Sequence, residues 1–350
     1  LVKNESIVPI FVQNLINLFK SRKKMIVKII NLLKLLFGYF LSQLIKRPIH
    51  FGMPFCISIE PTNICNLSCP QCPTGMKTLK RAKGYADLSQ IKRTLDELSP
   101  FLFSCIFYFQ GEPFLNPEIF EMIKYANDKG IYTITSTNGH FIDQSTAKKI
   151  IRSKLNKLIV SIDGTNQETY EQYRVNGKLS KVIEGVKMLT QFREELNSKT
   201  PKIVFQFLVT AKNEHQIEDA KKLALQLKVD KIEFKTAQIY DFKNGSKFIP
   251  LNEKYSRYKK MTNGNYELKW NDKNKCWRMW SNPVVTVSGD VVPCCFDKDA
   301  NFKMGNLKNV RFTEIWQSSN YNKFRAQIFK NRKDIDMCTN CTEGLFKVHL

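Results

Sequence analysis

The segment Ile57-Ser-Ile-Glu-Pro-Thr-Asn-Ile-Cys65-Asn-Leu-Ser-Cys69-Pro-Gln-Cys72-Pro73 joins a short apolar run to three cysteines at x3 and x2 spacing. The run Ile57–Pro61 reads as a strand, and the cysteines as the loop leaving its carboxyl end. Three thiolates can hold three corners of an iron–sulfur cubane and leave the fourth iron without a protein ligand. An electron carrier closes that corner with a fourth cysteine. An open iron instead takes nitrogen and oxygen donors from a substrate or cofactor. Zinc is the competing occupant, but structural zinc wants four ligands, often as paired C-x2-C knuckles. The nearest further cysteine, Cys56, lies in the preceding strand.

Outward from this segment the pattern repeats. Apolar runs at Ile57–Pro61, Ile106–Phe109, Tyr132–Ser136, Leu158–Ile162, Val204–Val209 and Ile232–Lys235 alternate with helix-like stretches at Leu88–Leu98, Pro117–Lys129, Ser145–Ser153, Lys181–Glu195 and Gln216–Leu227. Such alternation predicts a parallel sheet with right-handed helical crossovers, which curls toward a barrel. Six units rather than eight predict an α/β fold, a partial (β/α)6 TIM-like barrel open on one side. In such barrels the carboxyl ends of the strands converge on one rim. The cysteine loop, Gln110-Gly111-Glu112-Pro113, Ser136-Thr137-Asn138-Gly139 and Ser161-Ile162-Asp163-Gly164 all fall there.

The predicted organisation is a basic helical segment at 1–50, the barrel at 51–240, a linker rich in Lys, Asn and Tyr at 241–275, and a small module at 276–350. In that module, Val284–Val287 and Val291–Val292 flank Ser288-Gly289-Asp290, a hairpin signal. The hairpin folds Cys294 back toward Cys276; a helix over about Phe312–Lys330 and then Cys338-Thr-Asn-Cys341 follow, so four thiols can close around one metal centre.

The three-cysteine motif, followed by Gly-Glu-Pro after the second strand, resembles the radical S-adenosylmethionine (radical SAM) superfamily over about residues 55–240. The resemblance implies a [4Fe–4S] cluster on Cys65, Cys69 and Cys72 that binds the amine and carboxylate of S-adenosylmethionine at its open iron. Reduction then gives a 5′-deoxyadenosyl radical. Gly111, Glu112 and Pro113 resemble the element that holds the methionyl amine, with Gln110 standing where the family has a first glycine. Thr137 and Ser161 match positions that donate hydroxyls to the cofactor carboxylate. Arg174 lies where related enzymes place an arginine for that carboxylate, or is a solvated helix-end cation. Asp163 meets ribose hydroxyls or caps the turn at Gly164. The module resembles the SPASM/twitch type of extension: Cys276, a gap of twelve, Gly289, a gap of four, Cys294. With Cys338 and Cys341 it implies one auxiliary [4Fe–4S] cluster, with four-thiolate zinc as the alternative. Cys295 competes with Cys294 as ligand, and the glycine spacing favours Cys294. Cys56 and Cys105 read as buried small hydrophobes. No further catalytic side chain is assigned.

Composition narrows the setting. Ten cysteines in 350 residues are too sparse for a disulfide scaffold, and seven fall into the two ligand-like groups, which points to reduced thiols and a cytoplasmic enzyme. Four histidines argue against histidine-based metal chemistry. The net charge of +23 invites a nucleic-acid reading, but no helix-turn-helix, zinc-finger or RNP-like pattern supports it. Part of the charge is local. Lys20, Arg22, Lys23 and Lys24 precede the apolar run Met25–Ile45, Lys46 and Arg47 follow it, and Glu5 is the sole acid in the first fifty residues. Within the run Lys28, Asn31, Lys34, Gly38 and Ser42 form a polar stripe at helical spacing. Two mid-run lysines argue against a spanning helix at about 2.5–3.5 kcal/mol each, and the run lacks a signal-peptide cleavage site. It reads as a helix on an anionic membrane surface, or one packed on the protein body or a partner.

The resemblance implies hydrogen abstraction from an unidentified substrate, with electrons from an external flavodoxin- or ferredoxin-type donor and the auxiliary cluster accepting an electron or anchoring substrate. One auxiliary cluster rather than two favours a small-molecule or glycan substrate over a peptide. A non-catalytic iron–sulfur or zinc-binding scaffold is the reading of another class.

Overall fold

The computed structural model describes residues 7–269 and 274–342, with side chains from Lys24 onward. Six strands run parallel in chain order: β1 (Cys56–Ile59), β2 (Ser104–Ile106), β3 (Tyr132–Thr137), β4 (Lys157–Ser161), β5 (Lys202–Val209) and β6 (Lys231–Thr236). The N-terminal helix α1 spans Ile7–Ile45. Between the strands lie α2 (Leu88–Leu98), α3 (Ile119–Asp128), α4 (Gln144–Arg152), α5 (Gln167–Glu171), α6 (Leu179–Glu195) and α7 (Ile217–Gln226). Their caps are encoded locally. Asp87 accepts the Gln90 amide to start α2 and Asp143 that of Thr146 to start α4, each satisfying an orphan donor. Ile91, Leu95 and Leu98 of α2 and Ala147, Ile150 and Ile151 of α4 turn inward. β4 is almost wholly buried because helices and rim contents cover its two faces.

The partial barrel is as the strand–helix alternation predicts, and the second strand ends three residues earlier than the apolar run suggests. The linker is more structured than its composition implies. β7 (Tyr258–Lys260) and β8 (Tyr266–Leu268) pair as an antiparallel hairpin there. Beyond it come α8 (Arg278–Ser281), β9 (Val284–Val285), β10 (Asp290–Val292) and β11 (Gly305–Asn306). β9 pairs parallel with β1, Ser58 opposite Val284, so the nine-stranded sheet runs β11-β10-β9-β1-β2-β3-β4-β5-β6. The C-terminal module therefore continues the barrel's sheet and shares its core. Gly289 turns the β9–β10 hairpin at φ +82, where a Cβ would also meet the Gln90 side chain at 2.7 Å. The single helix expected after it is two, α9 (Phe312–Gln317) and α10 (Ser319–Asn331). Ser318 is extended between them and its hydroxyl caps the Tyr321 amide. α11 (Asp336–Thr339) carries Cys338.

Lys28, Asn31, Gly38 and Ser42 of the polar stripe of α1 face the protein, while Lys34 stays exposed. Lys28 Nζ donates to Gly130 O at 2.8 Å, and Asn31 exchanges two 2.8 Å hydrogen bonds with the Met53 backbone. The Ser42 hydroxyl accepts from Ile49 N, and Tyr39 packs edge-on against Trp277 and Trp280. The apolar residues on the opposite side are left exposed.

Candidate active site

The loop after β1 is held tightly around its cysteines. Cys72 N donates to Cys69 O, and Met76 N to Cys72 O. Gly75 lets the loop close, since a Cβ there would lie 2.5 Å from Cys69 N. Sequence reasoning passed over this glycine because it sits outside the cysteine spacing. Each thiol has a polar neighbour. Leu67 N lies 3.5 Å and Asn138 Nδ2 3.9 Å from Cys65 Sγ, Arg174 Nη1 lies 3.8 Å from Cys69 Sγ, and Cys72 Sγ lies 3.9 Å from Gln110 Oε1. Gln110, the departure from the double glycine, thus steadies the third cysteine, and its Oε1 also accepts from Thr74 Oγ1. Burial pushes the Cys65 thiol up to about 11 and raises Cys69. Without a metal these thiols stay protonated, and loading a cluster releases their protons.

The Gly111-Glu112-Pro113 turn is bonded onto this loop, Glu112 N donating to Ile64 O at 2.8 Å. Gly111 has φ +76, and a Cβ on it would fall 2.5 Å from Thr62 O. The glycine is required by the neighbouring backbone, so the two loops can lie in contact. Glu112 is buried, with Oε1 accepting from Thr137 Oγ1 (2.8 Å) and Phe114 N (3.2 Å), and Oε2 from Asn138 N (2.7 Å). No lysine or arginine pairs with it among the described residues. Burial raises its pKa to about 7 against those hydrogen bonds and the more distant charge of Arg174. A buried carboxylate with donors but no cation is a receptor for an ammonium group.

Neighbouring groups hold three of the expected site residues. Thr137 gives its hydroxyl proton to Glu112 and accepts from Gly139 N, so it positions Glu112 and is not a free donor. Asp163 neither faces open space nor caps Gly164. Its Oδ2 accepts from Arg174 Nε at 2.5 Å and its Oδ1 from Leu208 N at 2.7 Å. Arg174 is not a solvated cation either, for it is pinned between Asp163 and Cys69. Ser161, at the carboxyl end of β4, keeps a hydroxyl with no partner among the described residues. Asn138, unassigned from sequence, links Glu112, Asn66 and Cys65.

In the C-terminal module Cys276, Cys294, Cys338 and Cys341 are all buried. Burial raises Cys294 well above the ordinary thiol value, with Cys295, Cys276 and Cys341 near enough to raise it further. Burial and Cys276 push Cys338 up to about 11, against the charge of Arg332. Cys276 and Cys341 thus lie near Cys294, and Cys276 near Cys338. Cys295 is only half-buried and lies 3.6 Å from Arg278 Nη1. Asn340, between the last two cysteines, donates to Ile239 O (2.7 Å) and accepts from the Tyr258 hydroxyl (2.9 Å), so the structured linker braces this knuckle. Among the described residues no three Cys, His, Asp or Glu side chains converge closely enough to grip a single ion.

Residues 59–224 match the family model of the radical SAM superfamily, and residues 276–342 that of the SPASM iron–sulfur cluster-binding domain. The chain belongs to the radical SAM superfamily of enzymes and carries a SPASM domain. An AdoMet-dependent heme synthase of Methanosarcina barkeri is 29% identical over 43% of this chain and 43% of the relative. The match thus spans less than half the length of that curated relative. A PqqA peptide cyclase of Bradyrhizobium diazoefficiens is 22% identical over 79% of this chain and 76% of its own length. In fold, SuiB of Streptococcus suis bound to S-adenosylmethionine aligns with TM-score 0.61 at 17% identity, covering 81% of this chain and 70% of that one.

The radical SAM cofactors, a [4Fe–4S] cluster with S-adenosylmethionine and an auxiliary cluster, fit the residues present. Cys65 of the three-cysteine loop lies near the buried Glu112 carboxylate, which has no cation partner among the described residues, and four more thiols are buried in the C-terminal module. Lys298, which no motif marks, lies near Cys72 and Cys295. Lys298 Nζ bonds the Tyr240 hydroxyl at 2.6 Å and Gln238 Oε1 at 3.3 Å, and burial lowers its pKa. Tyr240 N in turn donates to Gln71 of the cysteine loop. Of the later-strand residues, Lys235 is tied to Glu233 and Thr236 to Arg257, while Gln206 and Gln238 remain half-buried.

Proposed function

We propose that this radical SAM protein abstracts a hydrogen atom from a substrate held at the carboxyl rim of the barrel, and that Cys276, Cys294, Cys338 and Cys341 would hold an auxiliary cluster able to accept one electron from the resulting substrate radical. When bound, the open cluster supplies the electron that breaks the sulfonium of S-adenosylmethionine and yields the 5′-deoxyadenosyl radical. Glu112 holds the methionyl ammonium, with Thr137, Asn138 and Phe114 fixing its two oxygens. Ser161 offers a hydroxyl to the cofactor carboxylate. Arg174, with Asp163 behind it, sets positive charge against Cys69. Lys298 and Tyr240 present a cation and a phenol where substrate approaches, suiting an anionic or hydroxyl-bearing group. An external flavodoxin- or ferredoxin-type protein donates the electrons, and the protein works in the cytoplasm.

The observation that carries this reading is the buried Glu112 carboxylate, without a cation partner among the described residues, near Cys65 of the three-cysteine loop. Four auxiliary thiols with no open corner support electron transfer over substrate ligation, and with it oxidation of a small molecule or glycan. A peptide substrate is the second reading, favoured by the peptide cyclase that matches most of the chain. Anaerobic reconstitution tests the core claim: about eight iron and eight sulfide per chain, with 5′-deoxyadenosine formed on reduction, are expected. Bound zinc without 5′-deoxyadenosine would overturn it. Deuterium transfer from labelled glycans or from labelled peptides into 5′-deoxyadenosine separates the two substrate classes.

A further inference from the structure

The amphipathic helix α1 is mounted with most of its polar stripe against the protein, Lys34 alone of the stripe being exposed, and its apolar side toward solvent. Lys28, Asn31, Leu35, Tyr39 and Ser42 are buried against the body along its length. On the other side Met25, Ile26, Ile29, Leu33, Phe37 and Leu44 form a ridge, with Leu33, Phe37 and Leu44 59%, 62% and 79% exposed. A surface helix ordinarily hides such a stripe, and a contiguous exposed one marks a docking face.

We propose that this ridge seats the protein in the plane of an anionic lipid bilayer. Three observations select lipid. The ridge residues themselves are all apolar, with Lys34 the one exposed polar side chain of the stripe beside them, whereas protein interfaces carry hydrogen bonds across them. α1 contains no Asp or Glu, and basic residues bracket the ridge: Lys20, Arg22, Lys23 and Lys24 before it, Lys46 and Arg47 after it. That is the charge pattern of a helix at an anionic surface. The docking geometry then fixes orientation. Lys24–Ile45 is long and apolar enough to cross a membrane, but its anchors to Gly130, Met53 and Ile49 hold the body alongside it. Crossing would carry that body into hydrocarbon, so the helix lies flat with its ridge sunk among the acyl chains. The barrel is thereby held at the membrane surface, within reach of substrates that reside there.

The test is flotation of the full reconstituted chain with vesicles of phosphatidylcholine containing about one-third phosphatidylglycerol, and with phosphatidylcholine alone. The native chain is expected to float with the anionic vesicles and to release as salt is raised. Leu33→Asp/Leu44→Asp is expected to weaken partition by roughly a hundredfold or more, with cluster content and melting temperature unchanged because neither side chain is buried. A lipid-borne photolabel should mark α1 peptides of the native chain, a readout independent of the variant. A native chain that stays unbound, a double variant that floats equally well, or a ridge that instead joins two copies in solution would each overturn the proposal. None of these outcomes depends on the radical chemistry.

Discussion

Glu60 and Arg81 face each other in a buried bidentate pair, with Arg81 Nη1 and Nη2 each 2.7 Å from a different carboxylate oxygen. Glu60 directly follows the first barrel strand, and Arg81 follows the cysteine loop. Val287 N of the SPASM hairpin donates to the same carboxylate at 3.0 Å, and Arg81 Nε donates to Lys298 O at 2.7 Å. One ion pair thus ties the open-cluster loop to the auxiliary module and to Lys298. Arg81→Met leaves a buried carboxylate with one amide donor, and should cost about 3–5 kcal/mol of stability. Replacing both partners with apolar residues should cost less. Thermal unfolding of the two variants checks the order.

S-adenosylmethionine affinity should rise with pH through about 7 and level off above it, since Glu112 is pushed to about 7 and only its ionised form pairs with an ammonium. Below that value the carboxyl is neutral, so binding weakens as pH falls. Glu112→Gln should bind weakly at every pH, with a flat profile. Thr137→Val removes one donor to the carboxylate and should move the midpoint upward. Equilibrium dialysis across this range reads all three.

Arg174 places a buried cation at Cys69, which favours the more electron-rich state of any cluster there. Arg174→Gln should lower the midpoint potential of the open cluster in a redox titration followed by electron paramagnetic resonance. It should also destabilise the fold, because Asp163 loses its partner. Adding Asp163→Asn should restore much of the stability and leave the potential low.

Cys294→Ala should lose about half of the bound iron and sulfide, four of eight, while Cys295→Ala retains them, because Cys294 lies among the four buried thiols and Cys295 beside Arg278. Iron and acid-labile sulfide assays distinguish the two. Turnover unchanged in Cys294→Ala would sink the electron-transfer role.

The barrel was legible because parallel strands covered on two faces read as short apolar runs, and the caps of the helices between them are written in local residues such as Asp87 and Asp143. The cysteines were legible because a cluster needs particular residues at particular spacings. The roles of Thr137, Asp163 and Arg174 were not. Each depends on which neighbour claims its hydrogen bonds, and those neighbours lie between 11 and 105 residues away in the chain. The hairpin over 258–268 escaped notice because its strands are short and polar.

The sequence by itself determined the chemistry: three thiols with an open corner, four more that close a second centre, and a carboxylate on the neighbouring strand end. Tertiary structure decided what surrounds that chemistry. Burial without a cation makes Glu112 an ammonium receptor, parallel pairing of β9 with β1 fuses the module to the barrel, and docking of Lys28 and Asn31 turns the apolar side of α1 outward. A periodic pattern shows that a helix has two faces, but only the groups it meets determine which face is hidden.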